Sequence, residues 1–269
     1  KAQPAWQRDT AELPAALRDY RQQLRDFAQS QLRPPALALD VKMKTASERP
    51  AELDALLREA GRTGLLSDLL PRPFGSTPLL RFRHSLAWQQ ALRTEELARA
   101  DGGLMLHLSA HNLGLAPVLF SGNVHAYRRV VLPALRACEA GEPQIFAFAI
   151  TEPGAGSDAE DGHGAELNKP GLVATPVSGG WRLRGRKVFI SGGDIARWVV
   201  AFAALAGEGF ESWTAFLVDT TSAGFHRVRN EHKMGMRASA ATELEFDDCF
   251  VPEQLVLGGV RKGWALNRA

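Results

Sequence analysis

Cysteine is scarce: Cys138 and Cys249 are the two in 269 residues, far apart and without a CxxC neighbour. That excludes a disulfide framework and a cysteine-based zinc site, and both read as small apolar side chains in a reducing compartment. Long apolar runs are missing too, since no stretch approaches the roughly 20 residues that cross a bilayer. The opening residues include Asp9, Glu12, Asp19 and Asp26, not the apolar core of a secretory signal. Neither sign of charge prevails: 32 Lys and Arg stand against 30 Asp and Glu, a net charge of +2. The basic residues are scattered, so the electrostatic footprint of a nucleic-acid binder is absent. Internal repeats and low-complexity tracts are absent as well. The expectation is a soluble, cytoplasmic protein with no membrane span and no nucleic-acid partner. The chain opens on Lys1 and closes on Gly263 to Ala269, which reads as a helix cut partway, leaving Trp264 and Leu266 uncovered. Further sequence is therefore expected at both ends.

What is present is an ordinary globular composition, 45% hydrophobic and 23% charged, enough for one large or two medium domains. From Leu13 the apolar positions Leu17, Tyr20, Leu24 and Phe27 recur at helical spacing, the mark of an amphipathic helix. Pro34-Pro35 stops it. A second helix opens at Pro50, places Leu53, Leu56, Leu57 and Ala60 on one side and ends at Gly61. More helices are predicted over 79–100, 103–120 and 125–140. The pattern then changes to short runs of β-formers at 145–151, 172–176, 181–190, 198–204, 213–218 and 244–250, separated by Gly, Pro, Asp and Ser. Helices first and strands second argue for segregated layers, an α+β class with an all-helical part over 1–144 and a β-barrel or sandwich over 145–258.

Two stretches carry chemistry. Phe148-Ala149-Ile150-Thr151-Glu152-Pro153-Gly154-Ala155-Gly156-Ser157-Asp158 is a strand running into a loop that can bring amides and hydroxyls close to a ligand. Its glycines permit close approach, and Thr151 and Ser157 both donate and accept. Composition alone leaves open an ordinary strand-to-turn exit. In Gly185-Arg186-Lys187-Val188-Phe189-Ile190-Ser191-Gly192-Gly193, a flat aromatic beside a hydroxyl can cover one face of a flavin ring while donating to a ring heteroatom. On its own, Phe189 would more often be simple core.

The first stretch resembles the signature of the acyl-CoA dehydrogenase superfamily, T-E-P-G-A-G-S-D, matched without a gap from Thr151 to Asp158. The second is similar to that family's G-x-K-x-[WF]-I-[ST]-x-G. A third block, from Lys233-Met234-Gly235-Met236-Arg237-Ala238-Ser239 to Val251-Pro252, resembles its K-x-G-x-R-x-S-D-T-x-E-L strand. Leu97 to Asp101 and Leu132-Pro133 extend the likeness into the helical part. The resemblance implies FAD as cofactor, contacted by Phe148, Ile150, Thr151 and Ser157 from one side and by Phe189, Ile190 and Ser191 around the ring. Ser157 and Ser239 would lie near the CoA arm. It implies α,β-dehydrogenation of an acyl-CoA thioester, a place in fatty-acid metabolism, electron-transfer flavoprotein as acceptor, and a homodimer or homotetramer. The catalytic glutamate would lie in a C-terminal helical bundle of which 259–269 is only the start, so no residue of this chain is nominated as base. An oxidase or monooxygenase of the same fold, or a nonenzymatic binding relative, are the alternatives.

Departures and weak signals complete the reading. Ala240-Ala241-Thr242 stands where the family usually has Asp, Thr and often Arg, and the polar loop Ala159 to Pro170 is longer than usual. His107 and His111 share one helix face as in a zinc protease, but Leu108 replaces the required Glu; they read as partly buried, hydrogen-bonded imidazoles, and no metal is expected. Gly162-His163-Gly164-Ala165 is an incomplete dinucleotide fingerprint. The alternating Glu243, Glu245, Asp247 and Asp248 read as a solvated strand face.

Overall fold

The computed structural model describes residues 10–45, 49–156 and 170–268. Helix α1 (Ala15–Phe27) buries Leu17, Tyr20, Leu24 and Phe27, the stripe read from the sequence. The chain runs on through a π-turn (Ala28–Leu32), and Pro34-Pro35 breaks it. A helix absent from the sequence reading follows, α2 (Ala36–Thr45), which starts directly after Pro35, where a fixed φ suits a helix opening. Helix α3 (Ala51–Arg62) has Pro50 as N-cap and buries the expected face. The single helix predicted over 79–100 is two, α4 (Leu79–Phe82) and α5 (Leu86–Ala100).

Helix α6 (Gly102–Phe120) is the central pillar. Asp101 caps it, its carboxylate accepting from Leu104 N at 2.8 Å, which satisfies one otherwise orphaned donor. Contrary to the sequence reading, α6 is long and apolar enough to cross a membrane by length and composition; most of it is buried inside the protein. Leu104 and Leu108 face the helical core, while Leu115 and Val118 join a second core under the sheet. Gly114 sits where α6 crosses the first strand, and a Cβ there would come within 2.6 Å of Ala147 N. Helices α7 (Val124–Ala126) and α8 (Leu132–Glu139), joined by a π-turn (Tyr127–Val131), close the helical layer.

The sheet comprises β1 (Phe146–Ala149), β2 (Leu172–Val177), β3 (Gly180–Ser191), β4 (Trp198–Leu205), β5 (Thr214–Asp219), β6 (Phe225–Asn230), β7 (Ala241–Pro252) and β8 (Val256–Leu257). Its order is β6-β7-β3-β2-β4-β5-β8, with β1 on β4. Strand β4 runs parallel to β1 and β2 and antiparallel to β5. It is buried along almost its whole length, as expected of a strand covered on both faces. A third core of Leu172, Leu183, Phe216, Leu244 and Phe246 fills the space inside the sheet. Strands β6 and β8 were not read from the sequence: Phe-His-Arg-Val-Arg-Asn buries only Phe225, as an edge strand does. A short helix α9 (Gly263–Asn267) ends the description. Its Trp264 stacks on Trp213 at 4.6 Å and donates to Phe210 O at 2.6 Å, and Leu266 is buried. The apolar surface expected to stand uncovered there is thus covered by the sheet itself.

Candidate functional site

Strand β1 delivers the first motif, and β3 anchors it. Past Ala149 the strand leaves the sheet, and the Ile150 carbonyl accepts from Lys187 Nζ at 2.9 Å. The Thr151 carbonyl accepts from Val188 N at 3.0 Å, which places Thr151 against the residue preceding Phe189. Glu152 turns inward. Its carboxylate accepts from Gly171 N at 2.5 Å, Leu172 N at 3.0 Å and Lys187 Nζ at 2.7 Å. Both side chains of this ion pair are sealed from water, at 0% and 1% exposure. Burial pushes the Lys187 ammonium down to about 8, while the Glu152 charge and hydrogen bond pull it back up. The Lys187 ammonium also lies 5.5 Å from the Trp213 ring. The two sequence motifs are therefore one unit, clamped by a pair that the sequence reading missed. A lysine amid β-formers and a glutamate two residues past a buried strand were the available signal.

Strand β3 changes register between Lys187 and Ile190. At this bulge Phe189 has φ of 59°, and the normal in-out alternation fails: Lys187 and Val188 are both buried, and the Phe189 ring is 60% exposed. A bulky side chain in the left-handed region is strained, and such strain collects at functional sites. Ile190 then returns to the core at 2% exposure, so only its main chain can face a ligand. Ser191 pairs with Ala241 and is partly exposed. The structure thus brings Thr151, Phe189 and Ser191 into one neighbourhood. Phe148 and Ile150 pack against the core between helices and sheet, Phe148 edge-on to Phe202 at 5.2 Å.

Other expectations fall differently. Ser157, the dinucleotide-like glycines and the loop from Ala159 to Lys169 lie outside the described residues. Ser239 is wholly buried, and its hydroxyl has no hydrogen-bond partner among the described residues. Ala240, Ala241 and Thr242 are buried as well, and the Thr242 hydroxyl donates to Asn230 Oδ1 at 2.8 Å. Arg237 is held by Asp40, its Nε donating to the Asp40 carbonyl at 3.0 Å. The acidic strand is a solvated face at Asp247 and Asp248 and partly so at Glu245. Glu243 is buried, because Arg186 (3.1 Å) and Arg229 (2.8 Å) close over it.

Both histidines are completely buried rather than partly so. His111 accepts from Phe146 N at 3.3 Å through Nδ1 and donates from Nε2 to Leu66 O at 2.8 Å, which fixes its tautomer. Burial drives the pKa of His107 to about 3 and of His111 to about 4. Both cysteines are buried, and burial raises their thiols to about 11, which makes them poor nucleophiles. Two cavities of about 500 and 550 Å³ open in the helical layer, lined by residues such as Tyr20 and Arg81 or Leu17 and Trp88. Neither includes Thr151, Phe189 or Ser191, and the convergence of sequence motifs and a strained aromatic outweighs cavity size in locating the site.

A helical layer seated on a mixed sheet, with a bulged strand lifting an aromatic close to Thr151 and Ser191, is a two-layer α+β arrangement. The chain also matches the family models "Acyl-CoA dehydrogenase, N-terminal domain" over residues 14–139 and "Acyl-CoA dehydrogenase, middle domain" over residues 147–249. It belongs to the acyl-CoA dehydrogenase superfamily. It is 30% identical over 247 residues to isovaleryl-CoA dehydrogenase of Solanum tuberosum, covering 91% of this chain and 54% of that protein. It is 30% identical to a caffeyl-CoA reductase-Etf complex subunit of Acetobacterium woodii, over 90% of this chain and 58% of that one. An acyl-CoA dehydrogenase complexed with FAD from Bacillus anthracis superposes with a TM-score of 0.77 and 27% identity, over 95% of this chain and 39% of that one. The chain spans about half the length of the curated relatives it matches.

Proposed function

We propose that this chain supplies the helical and sheet layers of an FAD-dependent acyl-CoA dehydrogenase. The carrying observation is the Phe189 bulge, a strained, exposed aromatic between Thr151 and Ser191 that joins none of the three described core clusters. The residues fit the cofactor: the ring offers a flat face, the hydroxyls offer donors, and the buried Ser239 hydroxyl lacks a partner among the described residues. Phe148, Ile150, Thr151, Phe189, Ile190 and Ser191 are the residues proposed to hold FAD, the chain segments of Ile150 and Ile190 through their main chains. The buried Ser239 is proposed to lie near the thioester arm. Bound there, FAD would supply the acceptance of a hydride from the acyl β-carbon. The protein's own part is to orient the ring, exclude water and place donors on the developing charge.

Proton removal from the α-carbon needs a carboxylate with a free lone pair within about 3 Å. Glu152 does not qualify, since it is sealed at 1% exposure and held by the Lys187 ammonium and two amides. The family relatives support a thioester substrate and, through the Etf-complex relative, an electron-transfer flavoprotein as acceptor. A homo-oligomer in the cytoplasm completes the proposal. The test is anaerobic titration of the whole FAD-loaded protein with acyl-CoA esters of several chain lengths. Loss of the oxidised flavin absorbance with formation of a 2-enoyl thioester is expected. Peroxide on mixing in air would mark an oxidase. No spectral change with any thioester would overturn the reading in favour of a nonenzymatic relative, for which the buried Ala240-Ala241-Thr242 patch is the relevant departure.

A further inference from the structure

The turn that follows Ser191 receives a charged side chain from the helical layer. Arg49 stands just before α3, and each guanidinium nitrogen meets a different element. Nε donates to Asp54 Oδ1 of α3 at 2.7 Å, Nη1 to Asp194 Oδ2 at 2.8 Å, and Nη2 to His107 Nε2 of α6 at 2.9 Å. The His107 nitrogen must accept here, so its proton sits on Nδ1, and burial beside the arginine keeps the ring neutral. Asp194 is 12% exposed and Arg49 18%, which removes this pair from the class of solvated ion pairs worth little.

The residues between Ser191 and Asp194 are Gly192 and Gly193, the pair with the greatest conformational freedom a chain can have. Their fixed pose therefore needs anchors outside the turn. On the sheet side Gly192 N donates to Ala240 O at 3.2 Å and Arg227 Nε to Gly193 O at 3.0 Å. On the helical side Ile195 packs against the helical core, and Arg49 supplies the polar anchor. A planar fork with directed donors reaches three acceptors at once; a lysine ammonium on a flexible stem does not reproduce that geometry.

We propose that Arg49 is a positioning residue that fixes the Ser191–Asp194 turn and, through it, the face that Phe189 and Ser191 present to the flavin. The second half rests on the flavin reading above; the first does not. Arg49 acts through Asp194 rather than by touching the ligand.

The test uses Arg49→Gln, Arg49→Lys and Asp194→Asn in the whole protein, with three readouts: amide hydrogen exchange without flavin, FAD affinity, and the visible spectrum of the bound flavin. Arg49→Gln should speed exchange at Gly193, Ile195 and Ala196, weaken FAD binding about tenfold, equivalent to about 1.4 kcal/mol, and alter the flavin spectrum. Asp194→Asn should reproduce the effect, and Arg49→Lys should restore only part of it. Unchanged exchange at those amides overturns the proposal. So does loss of protection spread evenly through α3 and α6 with a matching fall in Tm, which would make Arg49 a general structural contact. If the wild-type protein takes up no FAD, the flavin reading falls, and the exchange data alone still decide whether Arg49 holds the turn.

Discussion

Replacing Glu152 by Gln should be among the most damaging single changes to stability in the sheet. The carboxylate is 1% exposed and the Lys187 ammonium 0%, so the substitution leaves a buried cation whose solvation is gone and whose partner is neutral. Breaking a buried pair from one side costs about 3–5 kcal/mol, whereas removing both charges together with matched volume is close to neutral. The carboxamide also presents NH₂ hydrogens where Gly171 N and Leu172 N need an acceptor, which adds to the loss. At about 2–4 °C per kcal/mol for a protein of this size, Tm should fall by about 6–20 °C. Lys187→Met leaves the carboxylate with its two amide donors and should cost less than Glu152→Gln. The combined Glu152→Gln, Lys187→Met protein should be markedly more stable than the sum of the two losses predicts, a coupling readable in a thermal double-mutant cycle. Single variants with Tm within a degree or two of wild type, or losses that simply add, would refute the claim that this pair clamps the two motifs together.

Two more expectations concern the buried histidines and the exposed ring. His107 and His111 titrate near 3 and 4 in the folded protein against about 6.5 unfolded. Between those values the unfolded chain binds more protons, so stability is full above about pH 6.5 and falls as pH drops, by up to about 2.7 kcal/mol per unit for the pair. A Tm that stays flat from pH 7 to pH 5 would contradict this. Phe189→Gly should leave Tm unchanged or slightly raised, because the ring is exposed and its φ of 59° is costly for any residue but glycine. The same change should weaken flavin binding, measured by fluorescence quenching; a large drop in Tm would show instead that the ring is a packing element.

The layer order was legible in the sequence because periodicity switches near residue 145, from the helical spacing of Leu17, Tyr20, Leu24 and Phe27 to short β-rich runs. Elements whose burial is one-sided or absent were not legible. Strand β6 alternates charge with little apolar content, α2 shows no clear apolar face, and the break before α5 lies in a stretch without Gly or Pro. At the proposed site, Thr151, Phe189 and Ser191 were legible as residue types in motifs. The bulge that lifts Phe189 out, and the burial of Ile190 next to it, depend on the pairing of β3 with β7, which single-strand patterns do not encode. Likewise the Glu152–Lys187 and Arg49–Asp194 contacts join residues 35 and 145 positions apart, beyond the reach of local spacing.

Gly114 gives the crossing of α6 and β1 a consequence for protein engineering and for ancestry alike. With main chain on main chain there, no methyl group can be tolerated, and the helix and the strand beneath it have to be inherited as a matched set. Swapping the sheet of one relative onto the helices of another would succeed only if that single hydrogen-bearing position travels along with its partner backbone.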